Sequence, residues 1–342
     1  MSQQNRFIHL IARPQGVPTI DQFRVVESAL PTPHAGEFLV KNLFMSVDPA
    51  MRPRLAGQTE LNAPIQGGAI GRVVQSNNSQ FAVGEYVTSL CGFREYFVSN
   101  GANKIEAVQK LDPDGMPLTA YMGVLGVTGL TAYGGLLSTG ALKDGERVFV
   151  SAAAGAVGSI AAQIAKIKGC YVIGSAGSDE KCAWLKNDLG LDVAINYKTQ
   201  DLRKALKEAA PNQPGQNNGI DVYFENVGGS HLDAALPRMN PLGRIPVCGM
   251  ISAYNNFGSI SEPVTTLSNM IYNRIRMEGF VVYYFDHLRP QFLHDMKSWI
   301  RAGKMKYRET IVSGIEQAPR ALIGLFSGEN IGKMIVQLAD DK

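Results

Sequence analysis

Apolar positions change their rhythm partway along the chain, and the change marks two kinds of architecture. Up to about residue 125 the apolar runs are short, at 38–44, 69–75, 86–90 and 95–98, with Gly, Pro, Asn and Ser between them. Runs of that length between turn formers predict strands, and their spacing predicts a small barrel or sandwich. From Arg147 onward apolar strands alternate with helical patterns. Strands are expected at 148–152, 171–175, 193–197, 222–227 and 244–249, and the series ends near 280–285. Helices are expected at 158–167, 179–189, 201–209 and near 232–239, with a polar turn at 211–219. Ser178 stands where an N-cap belongs, with Lys181 in the first turn of its helix. Such alternation predicts βαβ units and a parallel sheet. The C-terminal stretch differs again: 305–312 and 333–338 look like strands flanking a helix over 315–326, able to join either domain.

Composition narrows the class. With 45% hydrophobic and 18% charged residues in a chain of 342, two domains with sizeable cores are feasible and disorder is excluded. A net charge of +3 without any Lys/Arg run argues against a nucleic-acid partner. Cys91, Cys170, Cys182 and Cys248 are scattered with no C-x-x-C pair, which speaks against a disulfide framework and against structural zinc. The N-terminal stretch lacks the apolar core of a signal peptide. No apolar run approaches the roughly 18–20 residues that span a bilayer. A cytoplasmic protein with no membrane partner is the expectation.

The candidate chemistry centres on Ser151-Ala152-Ala153-Ala154-Gly155-Ala156-Val157-Gly158, between a predicted strand and a predicted helix. That is the context of a dinucleotide fingerprint. Gly155 would let the backbone approach a pyrophosphate, Gly158 would let helix and strand pack closely, and the helix N-terminus would offer free N–H groups. Ala153 replaces the first glycine of the usual pattern. NAD enzymes keep a carboxylate at the end of the second strand to hold the ribose 2′-OH. Here that stretch is Gly174-Ser175-Ala176-Gly177-Ser178, followed by Lys181. Gly177 and Ser178 offer backbone and hydroxyl donors and Lys181 a cation, which favours NADPH over NADH.

A metal site is not expected. His9, His34 and Cys91 have no partners at ligand spacing, and residues 66–71 hold no His-Glu pair. Oxyanion charge would then be met by tyrosine hydroxyls or a coenzyme ribose hydroxyl; Tyr254 and Tyr272 are the candidates, in loops after late strands.

The whole chain resembles the zinc-independent medium-chain reductases, in the group of prostaglandin reductases, plant alkenal double-bond reductases and bacterial curcumin reductases. The resemblance runs collinearly through residues 46–49 (Ser-Val-Asp-Pro), 126–133, 151–158, 177–182, 194–198 (Ala-Ile-Asn-Tyr-Lys), 221–229, 248–254, 279–282 and 330–333. It implies a GroES-like substrate domain, residues 1–125 completed by 300–342, and a Rossmann NADPH domain, 126–299. It implies homodimers, and reduction of a carbon–carbon double bond conjugated to a carbonyl in an enal or enone. Carried over by motif, Ala154, Gly155, Ala156 and Val157 would contact the pyrophosphate. Lys181 and Tyr197 would hold the adenosine ribose and its 2′-phosphate. Asn226, Cys248, Gly249, Met250, Ile251, Ser252, Ala253, Tyr254, Phe280, Val281, Val282 and Asn330 would complete the cradle. One departure stands out: where the group has Asp-Pro-Tyr-Met-Arg, this chain has Asp48-Pro49-Ala50-Met51-Arg52, so a ring is replaced by a methyl group near the substrate. A quinone reductase of the same superfamily, and a non-catalytic NADPH-binding protein, are the alternatives.

Overall fold

In the computed structural model, residues 4–256 and 262–341 are described. The chain forms two compact units: one takes the chain up to Met122 and again from Glu309, the other runs from Gly123 to Arg308.

The first unit begins with a two-stranded antiparallel sheet, β1 (Gln4–Leu10) and β2 (Phe23–Ala29). Next come β3 (Phe38–Ser46), the helix α1 (Met51–Gly57), β4 (Ala69–Ser76), β5 (Tyr86–Ser89), β6 (Tyr96–Ser99) and β7 (Gln109–Leu111). Phe38 stacks on Phe81 at 4.2 Å beneath the sheet, an aromatic pair that anchors its apolar face.

The second unit opens with α2 (Val127–Gly134) and continues as β8 (Arg147–Val150), α3 (Ala156–Ile167), β9 (Tyr171–Ala176), α4 (Asp179–Asn187), β10 (Val193–Asn196), α5 (Leu202–Ala209), β11 (Ile220–Phe224), α6 (Gly229–Ala235), β12 (Met239–Val247), α7 (Asn269–Tyr272), β13 (Arg276–Gly279) and α8 (Arg289–Arg301). Its six strands are all parallel, in the order β10-β9-β8-β11-β12-β13. This is the doubly wound Rossmann order: the chain winds outward one way from β8, then returns and winds the other way from β11. The central strands read as mainly apolar runs because both faces are covered, and Phe149 of β8 stacks on Tyr223 of β11 at 4.7 Å.

The chain then returns to the first unit as β14 (Glu309–Ser313), α9 (Ala318–Ser327) and β15 (Lys333–Gln337). The larger sheet there runs β14-β15-β3-β4-β5-β7, with β6 on β3, and is antiparallel except for β14 and β15. The buried Lys333 fixes the join, donating from Nζ to Val47 O (2.9 Å) and Asp48 Oδ1 (3.0 Å).

Several sequence expectations need correction. The alternation, expected to end near 280–285, ends earlier, with β13 at Arg276–Gly279 followed by a 3-10 turn at Val282–Leu288. Every β13 residue is exposed, so it has no apolar run to read, while the aromatic run after it turns back onto the unit. Phe280 and Phe285 sit where a Cβ on Gly135 or Gly134 would touch their rings. The helix at 232–239 begins at Gly229 and ends in a 3-10 turn at Pro237, and β12 starts at Met239 rather than 244. The strand expected from 305 starts at Glu309, because Gln163 ties Lys306 to α3 through hydrogen bonds in both directions, each 2.8 Å.

Candidate functional site

In a parallel sheet every strand ends on the same edge, so the loops after β8, β9, β10, β11, β12 and β13 gather there. Most of the expected site residues fall in those loops. Ala154 and Gly155 lie between β8 and α3 and Ala156 and Val157 open α3, Gly177 and Ser178 lie between β9 and α4 with Lys181 in the first turn of α4, and Tyr197 is just past β10. Asn226 follows β11, residues 248–254 follow β12, and Phe280, Val281 and Val282 follow β13. Tyr272 ends the one-turn α7 and is 82% exposed. Asn330 belongs to the first unit, where its side chain braces its own turn by donating to Gly332 O (2.7 Å).

The phosphate loop is built by close approach. Gly155 is the N-cap of α3 in extended conformation, and Gly155 N donates to Ala152 O (3.0 Å). A Cβ at Gly158 would stand 2.4 Å from Ala152 O and 2.9 Å from Ala153 Cα, so only glycine lets the helix sit this near the strand. The turn itself is made by Ala152 at φ +48°, a left-handed residue that the sequence pattern does not reveal because it is not glycine. Ala153 N donates to Ser175 O (2.8 Å), which links this loop to the end of β9.

The end of β9 has the chemistry of a phosphate site. Ser178 caps α4, its Oγ accepting from Lys181 N (3.3 Å) as the sequence predicts, which leaves the hydroxyl proton free to donate outward. A Cβ on Gly177 would meet Tyr197 Oη at 3.0 Å and Lys198 Cε at 3.2 Å, so that glycine backbone is flanked by a hydroxyl and a second cation. Burial and then the nearby Lys198 both lower the Lys181 ammonium, a repulsion that an anion between them would relieve. The nearest carboxylate at the helix start, Asp179, is held by Asn196 Nδ2, which donates to its Oδ1 (2.7 Å). These groups fit a 2′-phosphate. Lys198 escaped the sequence reading, although its position beside Tyr197 was a visible signal.

The loops after β11 and β12 are zipped together. Cys248 N and Gly249 N both donate to Glu225 O (2.9 and 3.2 Å), Ile251 N donates to Asn226 O (3.2 Å), and Ser252 Oγ donates to Val227 O (2.7 Å). Tyr254 turns back on this loop, its Oη accepting from Met250 N (3.4 Å), and burial raises its phenol. Burial pushes the Cys248 thiol up to about 12, so it stays protonated beside the loop. Beneath the loops, His231 is buried, neither ring nitrogen having a hydrogen-bond partner among the described residues, and lies edge-on to the Tyr197 ring at 4.9 Å.

A Rossmann sheet with a glycine-built phosphate loop, in a chain that also carries a β-rich GroES-like unit, defines a two-domain dinucleotide-dependent oxidoreductase. A family profile described as the N-terminal domain of oxidoreductase matches residues 6–108, and one described as zinc-binding dehydrogenase matches 156–298. The chain is 45% identical to prostaglandin reductase 1 of Bos taurus over 94% of its length and 95% of that protein. It is 44% identical to the NADP(+)-dependent 2-alkenal reductase of Nicotiana tabacum over 89% of its length and 88% of that one. The crystal structure of CurA from Vibrio vulnificus in complex with NADPH superposes with a TM-score of 0.90 at 39% identity, covering 98% of this chain and 99% of that one. The chain belongs to the medium-chain dehydrogenase/reductase family, in its zinc-independent reductase group. Although one profile's description names zinc, the described residues contain no group of three or more His, Cys, Asp or Glu placed to hold a metal ion. None of their helices is long and apolar enough to cross a membrane.

Proposed function

We propose that this protein is an NADPH-dependent reductase of the carbon–carbon double bond in α,β-unsaturated aldehydes and ketones. The observation that carries the reading is the end of β9, where two lysines, a serine cap and Tyr197 stand in place of the carboxylate of an NAD enzyme. The relatives' names, 2-alkenal reductase and prostaglandin reductase, support the substrate class.

When bound, NADPH supplies a hydride for the β-carbon of the enal or enone. Electron density then moves to the carbonyl oxygen as an enolate, and the α-carbon takes a proton from water. The chain's part is to bind, to aim and to stabilise. Ala154, Gly155, Ala156 and Val157 hold the pyrophosphate at the start of α3; Lys181, Lys198, Ser178 and Tyr197 hold the 2′-phosphate. The 248–254 loop, Asn226 and residues 280–282 line the rest of the coenzyme. Tyr272 stands before β13, where its neighbour Asn273 donates to Met239 O at the start of β12, at the edge opposite the coenzyme loops, so the enolate oxygen is left to the Tyr254 hydroxyl, in the 248–254 loop, or to the coenzyme's ribose hydroxyl. The β-rich unit is read as the substrate domain.

The protein is read as a cytoplasmic homodimer. Its four cysteines are free thiols. The parallel sheet ends in an exposed strand, β13, with Met277, Ile271, Val281, Tyr283 and Tyr284 exposed on it and beside it. An edge that pairs with no further strand among the described residues, beside apolar side chains, suits pairing with a second copy, and light scattering on the purified protein measures it.

The test of the reaction is direct. Enals and enones should oxidise NADPH, followed by loss of cofactor absorbance, faster than NADH and faster than a quinone at equal concentration. Turnover only of alcohols with NADP⁺ would overturn the reading, and coenzyme binding without turnover of any acceptor would point to a non-catalytic binding protein.

A further inference from the structure

We propose that Glu225 is a positioning residue for the coenzyme: a buried carboxyl group that locks the three central loops of the sheet edge into one geometry. The proposal rests on the coenzyme reading above. Glu225 is the first residue after β11 and is 0% exposed. Its Oε1 accepts from Ser151 Oγ (2.9 Å), at the head of the phosphate loop, and from Val227 N (2.6 Å), in its own turn. Ser151 completes the lock: its Oγ accepts from Asn226 N (2.9 Å) and its carbonyl accepts from Asn226 Nδ2 (2.7 Å). The backbone of Glu225 reaches the third loop, since its carbonyl accepts from Cys248 N and Gly249 N. One residue thus touches the loops after β8, β11 and β12, and each of them carries residues assigned to the coenzyme.

The chemistry of the site requires an acceptor here. Among the described residues no cation pairs with Glu225; burial raises its carboxyl, while the nearby Tyr223 hydroxyl and the bonds from Val227, Gly228 and Ser151 pull the other way. Its second oxygen, Oε2, and Tyr223 Oη have no well-formed hydrogen bond, yet each perturbs the other's proton. Packing alone would be served better by an apolar side chain, because a buried unpaired carboxyl is unfavourable. An apolar side chain, however, would strand the Ser151 hydroxyl and the Val227 N–H, and the two loops would separate to find other partners. Glu225 therefore acts through Ser151 and Asn226 and touches no substrate.

The experiment compares Glu225→Leu, which keeps much of the volume and removes the acceptor, with Glu225→Gln, which keeps an acceptor oxygen. Leu206→Ala, a cavity in the buried face of α5, is the control for general destabilisation. NADPH binding is read by nucleotide fluorescence, and hydrogen exchange is read at the Val227, Cys248 and Gly249 amides in coenzyme-free protein. Glu225→Leu should weaken NADPH binding by roughly tenfold or more and speed exchange at those amides, leaving the enone KM at saturating NADPH unchanged. Glu225→Gln should stay within about threefold of wild type. Leu206→Ala should lower Tm without changing NADPH affinity. If Glu225→Leu does not fold, Ser151→Ala, which removes one of the two bonds to Oε1, should show the same effect at several-fold size. Wild-type affinity and exchange in Glu225→Leu, or an equal affinity loss in Leu206→Ala, would overturn the proposal. Failure of wild-type protein to bind NADPH would instead overturn the coenzyme reading, and the exchange data would still judge the lock.

Discussion

The two halves of the parallel sheet are built to different standards. Around β8, β9 and β10 the core is closed: Val148, Phe149 and Val150 are fully buried, and the phosphate loop packs against its strand with no space for a single methyl group at Gly158. On the other side the sheet thins out to β13, a strand with every residue exposed, where Gly279 has nothing within 4 Å of an added Cβ. The contrast follows the partners each half is read to meet. A phosphate group has one shape and is best held by a rigid backbone with fixed N–H groups. Acceptors of varied shape, or a second copy of the chain, need exposed side chains that can be exchanged without disturbing a loop.

The largest effect expected from that contrast is at the paired glycines. Gly158→Val places its side chain against the Ala152 carbonyl and the Ala153 backbone, neither of which is a flexible side-chain end. It should cost about 3 kcal/mol or more and abolish NADPH binding. Gly279→Ala, in open space, should leave Tm and kcat nearly unchanged. Equal effects at the two sites, measured by thermal unfolding and nucleotide fluorescence, would break the comparison.

A second test falls where the halves meet. His231, on α6 of the outer half, packs edge-on against Tyr197, which follows β10 of the inner half. Burial pushes its imidazole down from 6.5 to about 4, against a weaker opposite pull from Glu262. The unfolded chain therefore binds more protons between those values. The stability tied to neutral His231 is complete above about pH 6.5 and falls as pH drops toward 4, by roughly 3 kcal/mol in all. Denaturant titrations across that range should show the loss in wild type and a flatter profile in His231→Leu.

Lys181→Ala sharpens the account of the inner half. Losing a charge-assisted contact to the 2′-phosphate should raise the KM for NADPH about tenfold, near 1.5 kcal/mol, with little change for NADH. Equal loss for both coenzymes in steady-state kinetics would remove the phosphate from this corner.

How much of this could be read from the sequence also divides along the two halves. The alternation from β8 to β11 was legible because strands buried on both faces are mainly apolar, and Ser178 declared its helix. Strand β13 was not legible: an edge strand whose residues all face solvent has no hydrophobic pattern, and the aromatic run after it imitates one. In the site, the residues assigned to the coenzyme by motif were visible. Those that act by burial were not, since Ser151 and Glu225 in a sequence look like any polar residues at a turn, and their pairing depends on two strands meeting 74 positions apart.

The smallest expected effect tests whether the closed half is strained as well as tight. Ala152 holds φ +48°, where an L residue with a Cβ is disfavoured by about 1–2 kcal/mol relative to glycine. Glycine, in turn, gives up about 0.5–1 kcal/mol of chain entropy on folding. Ala152→Gly should therefore stabilise the protein by only about 0.5 kcal/mol, a rise in Tm of about 1 °C. Its coenzyme affinity should not improve, because the carbonyl that faces Gly155 and Gly158 is already where those glycines need it. A gain in Tm with weaker NADPH binding would mean that the methyl group of Ala152 restrains the loop for its ligand. No gain at all would mean that the backbone has relaxed around the left-handed alanine, and that close packing alone separates the two halves.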